Sequence, residues 1–521
     1  MFSASKSNKL MRFIKSVLLL AVTGITMRTV AVYFNIFLTG KLGSEGIGLY
    51  TLICSVYNFA ITFATSAVNL ASTRLVSEAL GKESDNGVRQ AMKKCVTYSL
   101  FFGISAFILL FMSAPLIAER MLGDTRTLLS LRFFALSLPF IALSSCLNGY
   151  FTAVRRVAKN AAVQLCEQGV RIGVCVFLLS FFMPESLEIA CLFVVIAGCL
   201  ADFLSFAYSF AMYRADLKRH VSRTGENDGD CQKKLFSIAL PVALSSYIRS
   251  GLVTVEHMLI PWGLRKRGAS NEAALKSYGV VQAMALPVVM FPYALLTPFC
   301  SLLIPEISER RARSDKNGVE KVTSLAVGFV LIFGIGVSGI MGLYSSELAS
   351  LFCKAPEASS YIRMLAPLLP IMYLDTVTDS ILKGMDHQAY TMRINIMDAF
   401  LSVIAVFLLV PRIGVYGYLA EIVICELINA SLSVWKLLKV VRFRPRIITR
   451  GLFPLISIII ATRLSNYIFG YLPLTLDGSI LALGVMICFT LAVYLMILKL
   501  LYGFFTGEKL LSFTSLGKAQ G

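Results

Sequence analysis

Charge is what this sequence has least of. Asp, Glu, Lys and Arg make up 15% of its 521 residues, where a soluble domain carries about 25%. With 57% of the residues hydrophobic, too little polar surface remains to cover a water-soluble globule. Histidine occurs only three times, and no Cys/His spacing of a metal site is present, so no metal is expected. No Gly-rich phosphate loop follows a strand-like run. No zinc-finger or helix-turn-helix signature accompanies the basic residues, so nucleic acid is not an expected partner. Together these absences argue against an enzyme and against a resident cofactor. Disulfides are not expected either. The twelve cysteines form no C-x-x-C pair, and most lie in apolar runs (Cys54, Cys146, Cys166, Cys175, Cys191, Cys199, Cys300, Cys425, Cys488), where free cysteine behaves as a small apolar residue.

What the chain does have is one long apolar run after another, giving a mean hydropathy of +0.74. Fourteen runs, at about 13–38, 47–73, 94–118, 128–153, 160–182, 188–213, 235–261, 277–304, 321–345, 359–384, 390–411, 415–438, 453–472 and 478–503, are each long enough to cross a bilayer as a helix. Backbone groups in hydrocarbon must satisfy one another, and the period-2 alternation of a barrel is missing, so the spans are helical. The expected fold is an all-α integral membrane protein of about fourteen transmembrane helices. Lys6, Lys9, Arg12 and Lys15 precede the first run as in a signal peptide. That run continues to Leu38 without an A-x-A cleavage site, which makes it the first span.

The net charge of +19 is explained by topology. With both termini in the cytoplasm, roughly 34 Lys and Arg fall on the inner side and roughly 9 on the outer side. Four of the outer group lie in one loop: Arg265, Lys266, Arg267 and Lys276. Removing one span would invert every later loop and destroy this contrast.

The chain also repeats. Tyr50–Glu78 lies on Tyr278–Glu306 without a gap, and Arg132-x-x-Ala-x-x-Leu-Pro139 matches Arg363-x-x-Ala-x-x-Leu-Pro370, both offset by about 230 residues. Leu-Asn-Gly149 then matches Leu-Lys-Gly384 with four extra residues between. The expected division is a six-helix bundle over 1–214, a polar cytoplasmic linker over 215–234, a second six-helix bundle over 235–450, and two further helices with a cytoplasmic tail over 451–521. Six is an even number, so the halves share one orientation, and such repeats rock about a site near the membrane midplane.

Ionisable residues within spans are costly and mark function or helix contacts. Glu167 and Arg171, spaced i, i+4, are expected to form a structural ion pair. Asp202, Asp398, Glu421 and Glu426 are expected to link helices, and Arg463 to reach lipid headgroups. Asp375, Asp379 and Lys383 share one face of the tenth span. Two carboxylates there oppose each other's ionisation, which makes Asp375 and Asp379, with Glu256 in span seven, the candidates for ion or proton coupling. Arg28 and Arg249 lie deep in the leading span of each half with no acidic residue one turn away. Their planar, permanently charged forks suit a phosphate or pyrophosphate, and Arg74 extends the positive path. Pro139, Pro241, Pro287, Pro292, Pro298, Pro367 and Pro370 sit within spans, and the three in span eight are expected to break it.

Thr-Gly-Ile-Thr-Met-Arg28, Gly-Ser-Glu-Gly-Ile-Gly-Leu-Tyr50 and Ala-Val-Asn-Leu-Ala-Ser-Thr-Arg74-Leu-Val-Ser-Glu78 resemble the stage V sporulation protein B branch of polysaccharide exporters. That branch belongs to the multidrug/oligosaccharidyl-lipid/polysaccharide superfamily, which also holds lipid II flippases and drug antiporters. The resemblance implies two bundles in a V and alternating access. It implies an undecaprenyl-pyrophosphate-linked saccharide as substrate, a peptidoglycan precursor for the cell wall or spore cortex. Arg28 and Arg249 match cavity arginines by position, in a sparser pattern than that of lipid II flippases. Further implications are a bacterial inner-membrane location, a monomer, membrane lipids and cell-wall synthases as partners, and coupling to a proton or sodium gradient or to the membrane potential. Two other readings are a multidrug/cation antiporter, in which acidic groups dominate the cavity, and a non-transporting membrane assembly factor.

Overall fold

The computed structural model describes residues 2–81, 85–154, 156–182, 184, 186–220, 231–353, 355–442, 448–471 and 480–506. Among these there is no strand. Among the described residues thirteen helices are long and apolar enough to cross a membrane. The first, Thr29–Leu80, has 52 residues, or about 78 Å at 1.5 Å per residue, far more than one crossing needs. It breaks at Gly43, whose φ of 68° and ψ of 179° lie in a region essentially reserved for glycine. Divided there, the helices give the expected fourteen spans of an all-α membrane protein. Span one is the part of Phe2–Thr65 before Gly43, and span two is the part after it together with Val68–Gly81; Asp85–Leu116, Thr127–Ala153, Val157–Phe181 and Leu187–His220 follow. Span seven is Cys231–Lys266. Span eight is interrupted around its prolines, passing from Asn271–Gly279 through π, α and 3-10 turns to Leu296–Ala312. Spans nine to fourteen are Lys316–Leu343, Glu357–Gly384, Gln388–Ile413, Val415–Val440, Phe453–Tyr471 and Ile480–Thr506. The middle of the expected linker, 221–230, lies outside the described residues, and both of its ends are helical.

By proximity the chain divides into two compact units, Met1–Gly279 with Ala399–Tyr418, and Val280–Asp398 with Leu419–Gly521. Similar packing occurs inside each. In the first unit, a Cβ added to Gly103 of span three would meet Pro139 Cα at 2.9 Å; in the second, one on Gly334 of span nine would meet Pro370 Cα at 2.8 Å. Gly149 and Gly384 likewise press against spans two and eight, near Asn69 and Ile304 respectively. The carbonyl of each accepts a hydroxyl hydrogen bond, from Thr73 at 3.2 Å and from Ser308 at 3.1 Å. Small residues let helix backbones approach this closely, which is how helices associate where lipid tails are as apolar as leucine.

The first unit is also tied by a polar network. Arg171 of span five lies 2.8 Å from Glu167 and 3.1 Å from Asp202 of span six. Tyr57 of span two donates to Asp202 at 3.0 Å and bonds Ser137 of span four, while Ser205 donates to the second oxygen of Glu167 at 3.2 Å. One guanidinium thus faces two carboxylates, whose remaining oxygens are held by hydroxyls, and four spans are joined through it.

Gly103→Val and Gly334→Val should each cost about 1–3 kcal/mol by overpacking against backbone, seen as a lower melting temperature of the solubilised protein. Gly173→Ala, where nothing lies within 4 Å, should not lower it; a loss there equal to the other two would contradict the packing account. Arg171→Gln leaves Asp202 and Glu167 without their cation and should destabilise by up to about 3 kcal/mol. Adding Asp202→Asn should restore part of that loss, and no restoration would show that the two do not interact.

Candidate functional site

Span seven carries Arg249 and Glu256, and its register is set by hydroxyls. Ser66 and Ala67, between the helical stretches of span two, have φ of 43° and 55°, a left-handed geometry that side-chain-bearing residues adopt only when held. Ser66 is held from two sides: its hydroxyl lies 2.9 Å from Tyr98 of span three and 2.5 Å from Tyr247 of span seven. Along the same face of span seven, Thr62 bonds Ser250 at 3.2 Å and Thr254 donates to the Ser55 carbonyl at 3.0 Å. Positions 247, 250 and 254 therefore face span two. At 100° per residue, Arg249 points to the other side. Its side chain is exposed, with no hydrogen bond or ion pair to the described residues. Glu256, seven residues on and half-buried, lies on nearly the same face as Arg249 and has a partner of its own.

Arg74 is exposed on Val68–Gly81. One turn later, Glu78 accepts Lys234 at 3.2 Å, tying the end of span two to the first turn of span seven. Arg28 belongs to the helix Phe2–Thr65, but its side chain lies outside the described residues.

In the second unit, the acidic residues gather on spans ten, eleven and twelve. Asp375 accepts from Asn429 at 3.3 Å, and Asp379 lies 3.4 Å from Lys383. Asp398 and Glu426 are close enough for their charges to act on Asp375. Four carboxylates thus lie close enough for their charges to interact, with Lys383 beside Asp379. Such a set attracts protons or small cations.

Sequence reasoning missed a polar knot at one end of the first unit. Arg126, between spans three and four, reaches Asp124 at 2.7 Å and Glu45 at 2.9 Å. Asn271 donates to Asp124 at 3.1 Å and accepts from Arg265 at 2.7 Å, while Arg265 also donates to the Leu122 carbonyl at 3.2 Å. Burial opposes ionisation of Asp124, yet the hydrogen bonds from Arg126 and Asn271 hold its carboxyl below the usual range. A depressed carboxylate stabilises the fold above its ordinary pKa and loses that effect only as the pH falls through the lower, folded value, so the knot persists at neutral pH. Arg265, one of the cations expected in an outer loop, is therefore occupied by protein groups. The only sequence signal for the knot was the cluster of charges beside breaks at Gly43 and Gly123.

The polysaccharide biosynthesis protein family matches residues 13–310, and the MatE family matches 272–408. Stage V sporulation protein B of Bacillus subtilis (strain 168) is 26% identical over 422 residues, covering 79% of this chain and 80% of that protein. The lipid II flippase MurJ of the same organism is 26% identical over 387 residues, covering 67% and 68%. Among solved structures, a lipid II flippase MurJ in an inward closed conformation superposes with a TM-score of 0.71 at 14% identity, covering 93% of this chain and 99% of that one. An inward-facing multidrug resistance MATE family transporter of the MOP superfamily gives 0.66 at 14% identity, covering 81% and 98%. At such identities the structures show a common fold. The family match, extending over more than half of the sequence, shows more: this multi-pass membrane protein belongs to the polysaccharide biosynthesis protein family.

Proposed function

We propose that the chain is an alternating-access flippase or exporter of an undecaprenyl-pyrophosphate-linked saccharide, a peptidoglycan precursor for the cell wall or spore cortex. The observation that carries this reading is Arg249, a permanent cation midway along span seven, exposed and without a protein partner among the described residues. Arg171, by contrast, is neutralised by two carboxylates. A charge within a span is tolerated when it meets an anion or lines a wet path, and a guanidinium fork matches phosphate oxygens in pairs. Arg249 and Arg28, in the leading spans of the two repeat halves, would receive the pyrophosphate, with Arg74 as the approach. The polar saccharide would cross in water while the lipid tail stays in hydrocarbon, since burying the headgroup unaided is prohibitive.

The reading includes the 1–214 and 235–450 halves, supported by the paired Gly103–Pro139 and Gly334–Pro370 packings. Its topology is that of a bacterial inner-membrane monomer with both termini in the cytoplasm, working beside cell-wall synthases. The relatives named for sporulation and for lipid II support the substrate class. Asp375 and Asp379, with Glu256, are the proposed coupling groups, drawing on a proton or sodium gradient; as charged groups within spans they would also feel the membrane potential. The acidic set on spans ten to twelve, together with the MatE match, favours cation antiport of another substrate as the second reading.

Reconstituted vesicles loaded on one leaflet with a lipid-linked saccharide test the first reading. The Arg28→Ala/Arg249→Ala variant should translocate at least tenfold more slowly, with Arg249→Lys in between, because lysine keeps the charge and loses the fork. A double variant as fast as the parent rules out the arginine mechanism. Cation-driven drug uptake that the double variant retains and Asp375→Asn loses would favour antiport.

A further inference from the structure

Arg463 takes no part in the proposed transport path. It lies beyond the repeat, halfway along span thirteen, Phe453–Tyr471. The helix is apolar and long enough to cross a membrane. Like Arg249, it is exposed and has no hydrogen bond or ion pair to the described residues. Its surroundings are different. Arg463 lines a cavity of about 420 Å³ inside the second unit, walled by spans nine, ten and thirteen. That volume falls within the usual range for small-ligand sites.

The cavity has two chemical ends. Arg463 and Asn466 one turn further on supply the polar groups of one end; Asn466 is likewise exposed and without a hydrogen bond to the described residues. Ser338 of span nine lines the wall nearer Ile458, against which the adjacent Gly339 packs. The other end is lined by Leu455 and Ile459, which are 47% and 51% exposed and continue into the apolar outer surface of span thirteen. The back wall is the proline-bearing part of span ten, where Pro367 lies within the 3-10 turn Ala366–Leu368 and Pro370 at the start of the helix that follows. A cation fixed in hydrocarbon demands an anion or water. A cavity that joins this cation to a lipid-facing apolar surface selects an amphiphile with a negative head.

We propose that this cavity holds the phosphate of an anionic membrane lipid. Arg463 and Asn466 donate to its oxygens, and the adjoining chain lies along Leu455 and Ile459. The proposal rests on the Arg463 cavity alone and does not depend on transport.

Native mass spectrometry of the purified full chain, after exchange with phosphatidylglycerol or phosphatidylcholine, tests it. The parent should retain phosphatidylglycerol in preference to phosphatidylcholine, and Arg463→Gln should retain at least fivefold less phosphatidylglycerol with phosphatidylcholine unchanged. Ser338→Phe, which fills the cavity and leaves the arginine in place, should give the same loss, and it decides the matter if Arg463→Gln does not fold. Parent-level phosphatidylglycerol in either folded variant overturns the proposal. Millimolar inorganic phosphate that displaces the lipid, and binds equally well without it, would overturn it in favour of a soluble-anion site.

Discussion

A guanidinium cannot lose its proton, and inside a membrane span it cannot be left in hydrocarbon. Much of this protein's chemistry can be sorted by how each arginine meets that constraint. Arg171 meets it with two carboxylates from its own and the next span, and becomes a joint between helices. Arg126 and Arg265 meet it at one end of the first unit with Asp124, Glu45, Asn271 and a backbone carbonyl. Arg249 and Arg463 meet it with nothing among the described residues. The partners they lack are the ones a lipid-phosphate protein would take from outside itself.

The helices that hold these charges need few strong interactions of their own. Apolar side chains gain little by leaving lipid for one another, so span contacts depend on backbone proximity and on hydroxyls. The glycine–proline approaches at 103 and 139, and again at 334 and 370, are of that kind. So is the row of Tyr247, Ser250 and Thr254 on span seven. That row sets the rotation of the helix and thereby the direction in which Arg249 points. Arg249, the residue proposed to bind, is placed by neighbours that bear no charge.

The spans could be read from hydropathy because twenty apolar residues in a row have few other uses. The break in span eight could be read from its prolines. The pairing of Glu167 with Arg171 was visible as an i, i+4 spacing, whereas Asp202 as the second partner depends on how two helices are rotated, which no local pattern encodes. The knot of Asp124, Arg126, Glu45, Arg265 and Asn271 was hidden for the same reason: its members are up to 226 positions apart in the sequence. The left-handed turn at Ser66 and Ala67 had no glycine to announce it, and tyrosines from two other spans hold it in place. Arg463 was noticeable in the sequence as a lone cation, but the cavity beside it arises from three spans packed together.

The claim on which the functional account rests is that Arg249 awaits a pyrophosphate. Binding of undecaprenyl pyrophosphate against the uncharged alcohol undecaprenol, compared between the purified parent and Arg249→Gln, addresses this without requiring transport. The account predicts that the parent prefers the pyrophosphate at least tenfold and that Arg249→Gln loses most of this preference while still binding the alcohol. Equal preference in parent and variant would contradict it.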